Sequence, residues 1–182
     1  MTDGYSPQLT VLAYIVDRSS SRVLMVHRIH RSDDEQYGKW NGLGGKVEEG
    51  EDIYTALVRE LKEEASIEVR RASLRGTLSW PGFHADGTGV FAFVFIVDLW
   101  DGSIPESNEE GILAWQPIDR ISQLDIWEGD RYFIDYLFDE SIDLFHLSIP
   151  YKNYEPQGCS GTCIMKNGDV RLISNEPLKE ME

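Results

Sequence analysis

The stretch from Gly45 to Ile67 constrains this chain more than any other. It opens Gly45-Lys-Val-Glu-Glu-Gly-Glu51 and closes Arg59-Glu60-Leu61-Lys62-Glu63-Glu64-Ala65-Ser66-Ile67. Strong helix formers fill its second half without Gly or Pro, which predicts a helix over Ile53–Ala65. Asp52, just after the loop-ending Gly50, is the expected N-cap. On that helix Glu60, Glu63 and Glu64 stand at i, i+3 and i+4, which places three carboxylates on one face. Like charges so placed destabilise a bare helix, and a hard divalent cation with oxygen ligands offsets them. A solvated acidic face is the plainer alternative.

The same stretch resembles the Nudix box, G-x5-E-x7-R-E-U-x-E-E-x-G-U, with U a bulky aliphatic residue. Gly45, Glu51, Arg59, Glu60, Leu61, Glu63, Glu64 and Ile67 match at the right spacing. Ser66 stands where the family has glycine. That glycine ends the helix in a left-handed conformation, so serine is expected to cost stability without removing a ligand. Tyr37-Gly-Lys-Trp-Asn-Gly-Leu-Gly-Gly45, Asn108–Trp115 and Trp127–Arg131 also resemble the MutT-like branch, the 8-oxo-dGTP diphosphatases. In order and spacing the likeness covers about residues 8–150, and the segment after Tyr151 does not clearly match.

Length and composition set the outer bounds. With 182 residues, 41% hydrophobic and 11% aromatic, the chain can bury a core and is not of the disordered class. The expectation is one domain over 1–182, with a C-terminal extension over 151–182. A net charge of −15 argues against nonspecific binding to nucleic acid or an anionic membrane. It leaves room for a polyphosphate, because a bound metal inverts the local field. No apolar run has the length of a membrane span, and residues 1–7 carry no basic or apolar leader, so a cytoplasmic location is expected. Cys159 and Cys163 have no partner pair or histidine set nearby and read as free thiols.

In chain order, Leu9–Asp17 and Arg22–Arg28 read as a strand hairpin turning at Arg18–Ser21, followed by a polar loop over Arg31–Tyr37 and a short strand at Lys39–Leu43. Strands are expected at Arg75–Trp80, Val90–Trp100, Ile112–Gln116 and Leu144–Ile149, with the apolar Val90–Val97 run central. A short turn or helix is expected at Pro117–Gln123, a second long helix at Glu128–Glu140, and a hairpin about Asn167-Gly168. These elements give a mixed α/β class. The resemblance implies the Nudix α/β/α sandwich with a mixed central sheet.

The resemblance also implies a site. A Mg²⁺ ion, with Mn²⁺ as the alternative, would be held by Glu60, Glu63, Glu64, the carbonyl of Gly44, and Glu110 from a later loop, with Glu109 as the alternative to Glu110. Glu63 and Glu64 are the leading candidates for the general base, with Glu60 beside them. Gly45, Glu51 and Arg59 are structural, the last two as a pair fixing the loop on the helix. Arg28 falls near the phosphates. Asn41 matches a purine-reading asparagine, Trp127 a tryptophan that stacks on the base, and Asp130 one of two consecutive acids whose first is here Gly129. The implied activity is Mg²⁺-dependent hydrolysis of purine nucleoside triphosphates such as 8-oxo-dGTP to monophosphate and pyrophosphate, a nucleotide-sanitising task allied to DNA repair. The partner is then a small nucleotide, with no stable nucleic-acid or membrane binding, and the enzyme a monomer or homodimer. The alternatives are another diphosphate substrate (a nucleotide sugar, ADP-ribose or an RNA 5′ end) and a nonenzymatic nucleotide-binding module.

Overall fold

The computed structural model describes residues 4–32 and 36–175. Residues 33–35 of the expected polar loop and 176–182 of the extension lie outside that set. β1 (Gln8–Asp17) and β2 (Arg22–His27) form the expected hairpin, and β3 (Trp40–Asn41) pairs with the far end of β2. α1 (Ile53–Ala65) follows, then β4 (Glu68–Trp80), β5 (Val90–Asp101) and β6 (Ile112–Pro117). After α2 (Ile134–Phe138) come β7 (Ile142–Ser148), the small ribbon of β8 (Tyr151–Lys152) and β9 (Glu155–Pro156), and the hairpin of β10 (Cys159–Met165) and β11 (Val170–Asn175).

The main sheet runs β11-β10-β7-β4-β5-β1-β2-β3, with β6 also paired to β2. β1–β5 and β4–β7 are parallel and the remaining pairs antiparallel, so the sheet is mixed. Side chains alternate along β1, which divides the core. Val11, Ala13 and Ile15 face α1, whose Ala56, Leu57, Leu61 and Ala65 are buried against them. Tyr14 and Val16 face the other way, onto Phe133, Ile134, Leu137 and Phe145. The apolar β5 lies between β4 and β1, as its sequence requires.

Two expectations need correction. β4 begins at Glu68, seven residues before the apolar pattern suggests, because its first half exposes Glu68, Arg70, Arg71 and Ser73 and buries Val69, Ala72 and Leu74 only in part. There Arg70 and Arg71 pair at 2.6 Å with Asp101 and Asp98 of β5, which holds the ladder without apolar alternation. The long helix expected over Glu128–Glu140 is instead a 3₁₀ turn at Glu128–Tyr132 and the five-residue α2. Tyr132, Phe133 and Ile134 are all buried. On one continuous α-helix these three successive residues would span roughly 200° of arc, too wide for a single inner face. The break at Phe133 (φ −116°) lets all three reach the core.

The C-terminal segment is built into the same sheet, since β10 pairs along β7 and β11 along β10, with the turn at Asn167-Gly168 as expected. Both cysteines are free and buried there, and burial pushes the Cys159 thiol up to about 11. Among the described residues no helix is long and apolar enough to cross a membrane.

α1 starts where Asp52 accepts hydrogen bonds from the Tyr54 and Thr55 N–H groups at 2.8 and 3.1 Å. It stops at Ser66, which adopts φ 57°, ψ 30° and returns its N–H to the Leu61 carbonyl. A serine pays a steric cost in that left-handed region that glycine avoids. Ser66→Gly should therefore stabilise the protein by about 1 kcal/mol, read as a Tm rise of roughly 2–4 °C by calorimetry. A fall in Tm would show that the cap is not strained.

Candidate active site

The site is assembled by the backbone between β3 and α1 lying down on β1. Ala13 and Leu43 exchange hydrogen bonds, Val11 N–H donates to the Gly45 carbonyl at 2.9 Å, and Val47 N–H to that of Leu9 at 3.0 Å. This approach requires glycine at 44, where φ is +136° and a Cβ would come within 2.2 Å of the Val11 carbonyl oxygen. At Gly45 a Cβ would meet the Glu60 carboxylate at 2.5 Å, so the second glycine makes room for that side chain.

Arg59 locks the loop to the helix. Its Nε and one Nη donate to the two oxygens of Glu51 at 2.8 and 3.0 Å, and the same Nη reaches the Lys46 carbonyl at 2.9 Å. Its other Nη donates to Glu60 Oε1 at 2.8 Å. Glu51 in turn accepts the Glu48 N–H, and its carboxyl is held below its ordinary range first by Arg59 and then by that N–H. The expected Glu51–Arg59 pair is therefore formed.

The remaining acids crowd around this frame. Glu64 Oε2 accepts the Gly44 N–H at 2.8 Å. Burial first, then Glu110 and Glu60, push its carboxyl up to about 8 against the pull of Gly44 and Arg28. Glu60 is also raised, chiefly by burial and further by Glu63 and Glu110, while Arg59 opposes. Glu110 is paired with Arg28, and its loop is pinned by Asn108, whose side chain accepts the N–H groups of Glu110 and Gly111 and donates to the Glu64 carbonyl. Glu109 is 91% exposed and 3.5 Å from Arg31, so Glu110 is the loop acid turned toward the box. Glu63 stays at the solvent edge, 3.6 Å from Arg59.

Among the described residues no ready-made cage of three or more His, Cys, Asp or Glu exists. The donor chemistry nonetheless fits a hard cation. Glu60, Glu64 and Glu110 are oxygen donors, and the charges of Glu110 and Glu60 raise the proton affinity of Glu64, as that of Glu110 does for Glu60, which is the repulsion a divalent ion relieves.

These elements border a cleft of about 340 Å³. Arg28, Gly44, Gly45, Lys46 and Glu110 line it together with Asn41, Trp127 and Asp130. Asn41 is buried and donates through Nδ2 to Gln36 at 2.8 Å, which leaves its carbonyl oxygen to accept. Trp127 sits edge-on to Phe83 with ring centres 5.6 Å apart. The cleft also takes Trp80, Phe83, His84 and Tyr151, which sequence reasoning missed. Trp80 Nε1 and His84 Nε2 are buried with no hydrogen-bond partner among the described residues. The signal for these four was weak: aromatics read as core until the fold shows which of them face a cleft.

The profile of the NUDIX domain matches residues 6–137. Over 124 residues the chain is 27% identical to an uncharacterised Nudix hydrolase of Bacillus subtilis, covering 66% of this chain and 73% of that one. It is 34% identical over 103 residues to the oxidized purine nucleoside triphosphate hydrolase of Mus musculus, covering 57% of this chain and 65% of the mouse protein, a little under two thirds of its length. The crystal structure of a MutT protein from Bacillus halodurans superposes with a TM-score of 0.71 at 25% identity, over 91% of this chain and 97% of that one.

Asp130 is the half-buried acid at the cleft whose cost can be measured. Burial pushes its carboxyl up to about 7, with only Arg131 pulling it down. An acid raised in the fold costs stability once the unfolded chain ionises near pH 4, and costs most above its folded pKa. A shift to about 7 corresponds to up to ~4 kcal/mol, and roughly half is expected because residue 130 keeps some exposure in the cleft. Asp130→Asn should therefore raise Tm at pH 8 by roughly 4–8 °C and leave it nearly unchanged near pH 4. Equal gains at both pH values would rule out a protonated Asp130.

Proposed function

The chain belongs to the Nudix domain family as a MutT-like hydrolase, and on that premise we propose that it cleaves purine nucleoside triphosphates to the monophosphate and pyrophosphate. The observation that carries this reading is one cleft joining two chemistries. Cationic and glycine-rich groups beside crowded carboxylates suit a polyphosphate, and an aromatic wall with polar readers suits a base. The similarity to the mouse oxidized purine nucleoside triphosphate hydrolase supports including oxidised purines such as 8-oxo-dGTP among the substrates. A cytoplasmic monomer or homodimer formed from one domain, acting in nucleotide sanitation rather than on nucleic acid or membranes, completes the proposal.

The geometry supports a role for each residue. Arg28 and Lys46 neutralise phosphate charge, and Gly44 and Gly45 present backbone with no Cβ in the way. Glu60, Glu64, Glu110 and the Gly44 carbonyl, with Glu63 at the edge, would hold Mg²⁺ or Mn²⁺, which when bound neutralises the phosphates and acidifies water. Glu64 is the stronger candidate for general base. Its Oε2 is fixed by the Gly44 N–H, so Oε1 is the atom that takes the proton from attacking water, and its surroundings favour holding that proton. Glu63 is too exposed for the same task. As water adds to phosphorus the anhydride P–O bond breaks, and the electron pair leaves on pyrophosphate.

A nucleotide panel assayed for pyrophosphate tests this directly. Purine triphosphates should be turned over with Mg²⁺ and not in excess chelator. Glu64→Gln should lose about 100-fold or more in kcat, Glu63→Gln less, and the exposed control Lys62→Gln nothing. Turnover confined to ADP-ribose, nucleotide sugars or capped RNA would sink the triphosphate reading.

The base wall generates its own expectation. Stacking on Trp127 contributes about 1–3 kcal/mol per base, so Trp127→Ala should raise KM for purine triphosphates roughly tenfold while kcat stays near wild type. An unchanged KM, or equal kcat/KM for dCTP and dGTP in the wild type, would remove the stacking role.

A further inference from the structure

Position 129 is glycine where the resemblance leads one to expect the first of two acids, and the fold fills that place from elsewhere. Beyond β7 the chain returns along the end of β4: Ile149 N–H donates to the Ser79 carbonyl and Tyr151 N–H to that of Pro81, both at 2.8 Å. Gly82, at φ +72°, accommodates this return, since a Cβ there would come within 2.7 Å of the Tyr151 carbonyl oxygen. The Tyr151 ring then packs edge-on against Phe83, with centres 5.1 Å apart, and lines the cleft with Trp127 and Asp130. A Cβ on Gly129 would lie 2.0 Å from the Tyr151 hydroxyl oxygen. The phenol therefore occupies the space where a side chain at 129 would begin.

The Tyr151 hydroxyl, set against Gly129, has one proton to donate and lone pairs to accept. We propose that Tyr151 is a specificity-determining residue whose hydroxyl replaces the missing acid at 129 and donates to an exocyclic carbonyl oxygen of the bound purine, favouring oxopurine over aminopurine triphosphates. The proposal rests on the triphosphate reading above. An acid at 129, once ionised, can only accept, whereas the phenol is a standing donor, because burial raises its pKa far above the physiological range. The exchange thus changes what the pocket reads. Trp80 and His84 line the same cleft, and among the described residues their buried Nε1 and Nε2 have no hydrogen-bond partner.

The test uses two substrate pairs that differ at one carbonyl edge: dITP against dATP for position 6, and 8-oxo-dGTP against dGTP for position 8. In Tyr151→Phe, which keeps the ring on Phe83, the kcat/KM ratio should fall about tenfold in at least one pair, through KM and with kcat unchanged. The pair that responds identifies the carbonyl. Gly129→Ala should produce the same fall by displacing the hydroxyl, and should add nothing in a Tyr151→Phe background. It also serves as the deciding variant if Tyr151→Phe melts early. A uniform loss on all four substrates, or both ratios unchanged, would overturn the inference while leaving the triphosphate reading intact. A wild type inactive on every triphosphate would overturn both.

Discussion

The Arg59 guanidinium is the interaction on which the rest of the site depends. Among the described residues it is the cation paired with Glu51, Glu60 and Glu63, and it also holds the Lys46 carbonyl. Its two-pronged contact with Glu51 fixes the loop after β3, and its contact with Glu60 turns that carboxylate against Gly45. Charge-assisted, bidentate contacts of a planar group outweigh the usual small worth of an exposed ion pair, because the fork sets direction as well as distance. Without Arg59 the acids of the loop and helix would face one another unneutralised, and among the described residues the Gly44 N–H to Glu64 hydrogen bond would be left as the side-chain tie between the glycine backbone and the helix.

The second constraint is β1, a strand with different work at each end. Toward its C-terminus it pairs with β2, and toward its N-terminus with the backbone of residues 43–47. The opening between these partners and the end of β5 becomes the cleft. Backbone pairing brings Gly44 under Glu64, so the carboxylate end of the cleft rests on main-chain hydrogen bonds that require glycine at 44. The helix offers the complementary surface: its apolar side is sunk into the core, which forces Glu60 and Glu64 into partial burial. The resulting rise in their proton affinity is electrostatic work held in the fold, and neutralisation by a cation releases it.

The aromatic end of the cleft is made differently. It draws on β3, the β4–β5 turn, the 3₁₀ turn after Asp125, and the strand beyond β7. No two of these are near in sequence, and what joins them is aromatic packing: Phe83 touches Trp80, His84, Trp127 and Tyr151. The irregular backbone over 127–138 belongs to the same solution. A long helix there would keep a regular face, whereas the break lets Trp127 and Asp130 face the cleft while Tyr132, Phe133 and Ile134 enter the core.

Much of this was legible in the residues alone, because the signals were local. Spacing marked the α1 helix, Asp52 its cap, Ser66 its left-handed end, and Asn167-Gly168 the last hairpin; each depends on contacts within a few residues. Glu51 and Arg59 could be paired from their places in the box, and Arg28, Asn41, Trp127 and Asp130 do line one cleft. Tertiary structure alone decided the rest. It drew Glu110 and Glu64 inward and left Glu109 and Glu63 at the surface, because burial is set by distant packing that two adjacent acids do not announce. It started β4 early through cross-strand ion pairs, and it cut the second helix short to bury three successive side chains. It also carried Tyr151 from the C-terminal segment into the space left at Gly129, a contact across 22 residues of chain that only the return path along β4 creates.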